Sequence, residues 1–274
     1  MKIGFCTNAF GHEQETMERV LPFLADSGYD ALEFWVQYLV RADLVWLRET
    51  TDELGLGIEQ ICPYFNWTTS ARSYERSLRD AETWLRYAVD LACPHIRAYA
   101  GRVASAEATS DDWRACTSGI QQLCDLAADC GVSVLIETHQ AAHGGPTLAD
   151  TSANVLRLLD AIDRANCAVN LQTPLIGETP IESAKALGGA VKHIHAHNWF
   201  ARNDPDGTLR LELTPLASGE VDFDAFLGKL VDAGFEGCVS VEHANIHSDP
   251  YGAAVSEAIY LRHVRKQLFD PDQP

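Results

Sequence analysis

Positive charge is scarce in this chain of 274 residues: 21 Lys and Arg face 39 Asp and Glu, a formal net charge of −18. Such a balance lacks the cationic grip that supplies most of the affinity for a phosphate backbone, and anionic membrane surfaces repel it. Nucleic acid and membrane are therefore excluded as expected partners. No apolar run approaches the roughly 18 residues of a spanning helix. The opening MKIGFCTNAFGHE is interrupted by Asn8, Gly11, His12 and Glu13 before a signal-peptide core is reached. The expected location is cytoplasmic. CxxC spacing is absent as well. Cys6, Cys62, Cys93, Cys116, Cys124, Cys130, Cys167 and Cys238 are scattered, and in a chain without an export signal they read as small buried hydrophobes. No P-loop, no GxSxG elbow and no complete dinucleotide fingerprint occurs; Gly55-Leu56-Gly57 lacks a third glycine and precedes a strand.

What is present is an alternation. Short apolar runs at Lys2–Thr7, Ala31–Trp35, Gly57–Cys62, His95–Tyr99, Val132–Glu137, Ala168–Gln172, Lys192–His197 and Cys238–Glu242 read as strands. Segments of helical period lie between them. From Ser70 to Ala92, Tyr74, Leu78, Ala81, Leu85, Ala88 and Leu91 recur at three- and four-residue steps, which predicts one buried helix face. The next helix is expected to open at Ser110 as N-cap, with Asp111 and Asp112 at its positive end, and to stop at Gly131. Eight such units with no compositional break predict one α/β domain over residues 1–274, a single (β/α)8 TIM barrel. The connection from Trp199 to about Val221 is the longest, and its length predicts a functional loop such as a lid.

Polar residues gather where they do not belong. Buried parallel strands should be nearly all apolar, yet the last four strands end in Glu137-Thr138-His139, Asn170-Leu171-Gln172, His193-Ile194-His195-Ala196-His197-Asn198 and Ser240-Val241-Glu242-His243. The C-terminal strand ends are the active-site face of a barrel. Alternation puts His193, His195 and His197 on one face, and Ile194 and Ala196 on the other. The apolar side faces the helices, so the histidines face inward. Residues two apart are separated by roughly 6.6 Å, so the three rings cannot share one ion, and His195 is the best placed. Glu137 with His139, and Asn170 with Gln172, share inward faces by the same parity. Two carboxylates, an imidazole and an amide oxygen suit Mn²⁺, Mg²⁺ or Co²⁺ in preference to Zn²⁺, and a cation relieves the repulsion between Glu137 and Glu242. The metal-ligand candidates are thus Glu137, Gln172, His195 and Glu242. His193 reads as a satisfied interior histidine, and His12, His143 and His263 as surface or loop residues. Trp35 and Trp67 read equally as pocket walls or as packing.

The strings GFCTNAF, GYDALEFW, HIRAYAG, VLIETH, VNLQ, HIHAHN, LASGEVDF and SVEH resemble the xylose-isomerase-like barrels, which include sugar-phosphate isomerases, ketose 3-epimerases, inosose dehydratases and endonuclease IV. Within that group the resemblance is to bacterial 3-dehydroshikimate dehydratases of the siderophore-pathway type. It implies Glu137, His195 and Glu242 as metal ligands and His139 as a proton-transfer residue beside substrate. It also implies Arg97 and Tyr64 as substrate contacts, and Trp35, His197 and Asn198 complete the candidate substrate-binding set. Homo-oligomers are common in the group. The chain departs from the family pattern at Gln172, where Asp is usual, and at Leu175, where His is usual; weaker metal binding, or a different arrangement of ligands, is the expected consequence.

The implied chemistry is proton abstraction beside a metal-polarised carbonyl, with Glu137, Glu242 or His139 as base and Arg97 holding an acidic group by a bidentate contact. Reprotonation makes the enzyme an isomerase or epimerase of a sugar-like hydroxy-ketone; expulsion of a β-hydroxyl makes it a dehydratase acting on a polyhydroxy ketone or keto acid. A barrel that has lost catalysis and serves as a binding subunit is the reading from another class. An endonuclease-like role is opposed by the charge of −18.

Overall fold

The computed structural model describes residues 1–142, 144–242 and 249–269. Its centre is a closed parallel barrel of β1 (Lys2–Cys6), β2 (Ala31–Trp35), β3 (Gly57–Cys62), β4 (His95–Tyr99), β5 (Ser133–Glu137), β6 (Cys167–Gln172), β7 (Val191–Ala196) and β10 (Cys238–Val241). The strands pair in sequence order, and β10 closes the ring between β7 and β1. All eight expected strands are present, with ends shifted by one residue at most. The (β/α)8 architecture is therefore the observed one.

Helices cover the barrel because their apolar stripes have nowhere else to go. In α4 (Ala71–Asp90), Ala81, Leu85 and Ala88 are buried, and Leu91 caps the face just past the helix end. Ser70 caps α4 by accepting from Ser73 N. The helix α5 (Ser110–Asp129) corrects the expected cap by one residue. Thr109, not Ser110, is the N-cap, because Thr109 and Asp112 satisfy each other's backbone N–H in a reciprocal box. Gly131, with φ of +69°, follows its C-cap as expected. None of the eight cysteines is in a disulfide. Among the described residues no helix is long and apolar enough to cross a membrane.

The segment expected to be a long loop is instead ordered as a hairpin. Strands β8 (Asn198–Asn203) and β9 (Leu209–Thr214) pair antiparallel, with Trp199 opposite Leu213 and Ala201 opposite Leu211. Phe200, Arg202 and Glu212 project to the other face and are exposed. The period-2 alternation explains the result: Asp204-Pro205-Asp206-Gly207 is a turn, with Gly207 at φ of +84°, and both flanks are β-patterned. Leu216–Ser218 then forms a short 3-10 turn leading into α8 (Phe223–Asp232).

Candidate functional site

Register sets which side chains meet. His195 on β7 lies level with Gln172 on β6 and Ser240 on β10, while Glu137 on β5 lies level with Tyr99 on β4 and Asn170 on β6. Inward parity then aims Glu137, Gln172, His195 and Glu242 at one point. His195 Nδ1 is 3.0 Å from Glu137 Oε1, 3.1 Å from Gln172 Oε1 and 3.4 Å from Glu242 Oε2. One donor atom from each of Glu137, His195 and Glu242 lies within 4.8 Å of the others. Ligands held about 2.1 Å from a hard dication in octahedral geometry sit about 3 Å apart along each edge. The spacing fits such an ion, and the amide oxygen of Gln172 is inside the set.

The electrostatics fit as well. Burial alone would raise the Glu137 carboxyl, but Arg97, His195 and His139 outweigh it and hold it below the usual carboxylate range. Burial lifts Glu242 to about 7, with Glu137 and Glu33 adding to the rise and His195 opposing it. Burial also opposes charge on His195, yet Glu242, Glu33 and Glu137 raise it well above the ordinary imidazole value. Three carboxylates thus surround one imidazole, and the Arg97 guanidinium pairs with one of them, Glu137. A dication beside a neutral His195 would bring the cluster to neutrality. Glu137 Oε2 is buried and has no hydrogen-bond partner among the described residues, a polar atom that a cation would satisfy.

A cavity of about 190 Å³ opens onto this cluster. Trp35, Arg97, Tyr99 and His139 wall it beside Glu137, Gln172 and Glu242, and Leu213 of the hairpin and Gly144 close its rim. The hairpin therefore does cover the site, as an ordered strand pair. Larger hollows near Tyr64 and between the hairpin and the start of α7 (Pro180–Leu187) lack the carboxylate–imidazole cluster. His139 is 2% exposed, with Nε2 3.9 Å from Glu137 Oε2; no side chain among the described residues hydrogen-bonds its ring, and the Gly145 backbone is the polar group beside it. Burial, followed by Arg97, depresses its protonation against the pull of Glu137. Gly144, at φ of +96°, packs so closely that a Cβ there would stand 3.0 Å from the His139 ring.

Arg97 departs from its expected role. Nη1 donates to Glu137 Oε1 at 3.2 Å, and Nη2 donates to the carbonyls of Cys62 and Pro63. Its guanidinium lies 4.7, 4.9 and 5.6 Å from the ring centres of Tyr99, Tyr64 and Trp35. The fork is largely committed inside the protein, and Nε–H is the donor left without a partner among the described residues. A full bidentate grip on a substrate acid is therefore not available without rearrangement. Tyr64 stacks on Tyr99 and lines the neighbouring hollow, not this cavity.

Two other candidates are diverted. Asn198 is fully buried, donating to Leu216 O and Val221 O and accepting from Trp199 N and Val221 N. All of its polar atoms brace the base of the hairpin, which corrects its assignment as a substrate contact. His197 Nε2 bonds Thr173 O, and its Nδ1 lies 3.8 Å from Glu242, so it backs that carboxylate. Of the remaining single residues, Trp67 is core packing, with its indole N–H on Tyr99 O. Leu175 is buried, His12 is half-buried in a loop and His263 is exposed on α9 (Pro250–Phe269). His143 and His243 lie outside the described residues.

Sequence reasoning passed over Glu33 on β2. It is fully buried, 2.8 Å from His193 Nε2 and 3.0 Å from His195 Nε2. The signal was available, because Ala31, Glu33 and Trp35 share the inward parity of an otherwise apolar strand.

A family model described as xylose isomerase-like TIM barrel matches residues 21–263. A 3-dehydroshikimate dehydratase of Bacillus anthracis is 26% identical over 251 residues, covering 85% of this chain and 88% of that protein. The crystal structure of Bacillus anthracis AsbF, involved in petrobactin synthesis, superposes with a TM-score of 0.81 at 24% identity over 96% of this chain and 99% of that one. An L-ribulose 3-epimerase structure superposes with a TM-score of 0.80 at 17% identity, covering 100% and 99% of the two chains.

Proposed function

The chain belongs to the xylose isomerase-like TIM-barrel family, and from that premise we propose that it is a divalent-metal-dependent enzyme. It removes a proton from the carbon beside the carbonyl of a small hydroxylated ketone or keto acid, and expulsion of a β-hydroxyl, a dehydratase reaction, follows. Glu137, His195 and Glu242, with Gln172 as the neutral fourth donor, would hold Mn²⁺, Mg²⁺ or Co²⁺. Bound there, the ion supplies Lewis-acid polarisation of a substrate oxygen.

The observation that carries the reading is the state of His139. Glu137 is pinned by Arg97 at 3.2 Å and by His195 at 3.0 Å, whereas no side chain among the described residues hydrogen-bonds the buried His139 ring. To accept a proton from carbon, a histidine must be unprotonated and have a ring lone pair that no other side chain occupies. His139 meets both conditions, and burial keeps its ring neutral. Its ring is the acceptor for the substrate proton. Glu242 stays ionised among the metal-holding residues, and the proton that His139 has taken from carbon is the one returned to the departing hydroxyl, which leaves as water. The Arg97 Nε–H orients an oxygen of the substrate, and Trp35, Tyr99 and Leu213 exclude water from the reacting carbon.

Isomerisation or epimerisation of a sugar-like ketone is the second reading. Glu137 and Glu242 both face the cavity, an arrangement that suits proton transfer at the two faces of one carbon. The test is incubation of Mn²⁺-loaded protein with a panel of keto-sugars and 3-dehydroshikimate in D₂O, followed by NMR. The dehydratase reading expects a dehydrated product from a β-hydroxy ketone. An epimer or isomer carrying deuterium at a single carbon would establish the second reading instead. Protein that binds Mn²⁺ but neither exchanges nor converts any member of the panel would overturn both and leave a binding subunit.

A further inference from the structure

We propose that Glu33 is the positioning residue of the metal centre: it fixes the Nε2–H tautomer of His195 and turns Nδ1 toward Glu137, Gln172 and Glu242. The inference rests on the reading of His195 as a metal ligand.

Its basis is geometric. Glu33 stands on β2, across the barrel from β7, and is fully buried. Both of its carboxylate oxygens lie 3.0 Å from His195 Nε2. Oε2 also lies 2.8 Å from His193 Nε2, and Oε1 accepts from the Cys62 thiol at 3.0 Å. Among the described residues no ammonium or guanidinium pairs with it, so the two imidazoles and the thiol provide its compensation. A buried carboxylate without such partners is strongly unfavourable. Because an ionised carboxylate can only accept hydrogen bonds, the ring nitrogen facing both of its oxygens carries the proton.

At the opposite edge Nδ1 faces a carboxylate oxygen at 3.0 Å, so in the metal-free ring it carries a second proton, which a bound cation would displace. In a neutral imidazole with its proton on Nε2, Nδ1 presents a lone pair. That nitrogen faces oxygens of Glu137, Gln172 and Glu242 at 3.0 to 3.4 Å. A lone pair surrounded by acceptors is the arrangement of a ligand around a cation. The amides of Asn170 and Gln60 also approach Nε2, at 3.0 and 3.5 Å. An amide can turn its oxygen to the same N–H, so neither competes with the tautomer that Glu33 imposes. Metal-bound histidines commonly have their second nitrogen held this way, and removing such a partner typically weakens metal binding 10–100-fold.

The test compares wild-type protein with Glu33→Gln by Mn²⁺ titration, with circular dichroism to establish that both are folded. The expected result is a rise in the Mn²⁺ dissociation constant of roughly 10–100-fold in Glu33→Gln. A dissociation constant within twofold of wild type in a folded variant overturns the inference while the metal site stands. Wild-type protein that binds no divalent cation removes the metal reading, and the inference falls with it. If Glu33→Gln does not fold, wild-type protein decides the matter. In a ¹⁵N-histidine NMR spectrum of the Zn²⁺-loaded protein, with His195 assigned by its loss in His195→Asn, the ring proton is expected on Nε2. A proton on Nδ1 overturns the inference.

Discussion

Replacing Arg97 by Met should destabilise the metal-free protein by an amount the burial of the site makes large. The side chains of Arg97 and Glu137 are 1% and 2% exposed and lie 3.2 Å apart. Removing one member of a buried pair strands the other charge, at a cost of about 3–5 kcal/mol. The guanidinium also faces three aromatic rings, each contact worth about 0.5–2 kcal/mol when desolvated. Methionine recovers part of the stem packing, so a net loss of roughly 4–6 kcal/mol is expected, a large share of the 5–15 kcal/mol typical of a folded domain. The assay is urea unfolding of metal-stripped protein, followed by tryptophan fluorescence and circular dichroism. The double variant Arg97→Met/Glu137→Gln carries the sharper test. With the stranded carboxylate neutralised, its loss should be smaller than the sum of the two single losses by about 2 kcal/mol or more. A loss under about 1 kcal/mol for Arg97→Met, or additivity within about 0.5 kcal/mol, would refute the view that Arg97 exists to compensate Glu137.

Three further outcomes are expected. Glu242→Gln abolishes tight Mn²⁺ binding and turnover together, measured by calorimetry and by the NMR assay; retention of both removes Glu242 from the site. Gln172→Asp restores a charge beside His195 and strengthens Mn²⁺ affinity by about tenfold or more, since each charged oxygen near a cation contributes on the order of a kcal/mol even when screened; a fall in affinity places Gln172 outside the ligand set. His95 Nδ1 is bonded to Glu59 O, and burial pushes the ring down to about 4. A folded-state value below the ordinary 6.5 gives stability that is present above about 6.5 and lost as pH falls toward 4. The ring therefore contributes up to about 3 kcal/mol at neutral pH. His95→Gln should narrow the difference in unfolding free energy between pH 7 and pH 4.5 relative to wild type, and an unchanged difference counts against it.

The barrel was legible because its signal is repeated eight times and each repeat is local. An apolar run of five residues followed by a segment of helical period needs no tertiary information, so the strands fell within a residue of their expected ends. The Thr109 cap was missed by one residue because Ser110, Asp111 and Asp112 all have capping chemistry, and only backbone geometry decides which N–H groups are orphaned. The hairpin was misread for a different reason. Its length was seen, but the alternation of Trp199 and Ala201 against Leu211 and Leu213, on either side of the Asp204–Gly207 turn, was not followed.

The site divides along the same line. Glu137, His195 and Glu242 were found because they end strands that should be apolar, and parity alone fixes the direction in which they point. Parity does not say how a long side chain spends its donors once it arrives. Arg97 was expected to face substrate, yet its Nη atoms are used by Glu137 and by the carbonyls of Cys62 and Pro63. Asn198 was placed in the substrate-binding set, but it lies one residue past His197, a step that reverses the face of an extended chain, and its amide bonds the hairpin base. Glu33 was lost for the converse reason. It sits on the second strand, far in sequence from the four strand ends that drew attention, and only closure of the barrel brings β2 within 3.0 Å of His195. Sequence patterning thus names the residues that enter a barrel; which of them is available to a substrate, and which is bound to a neighbour across the ring, is a property of closure.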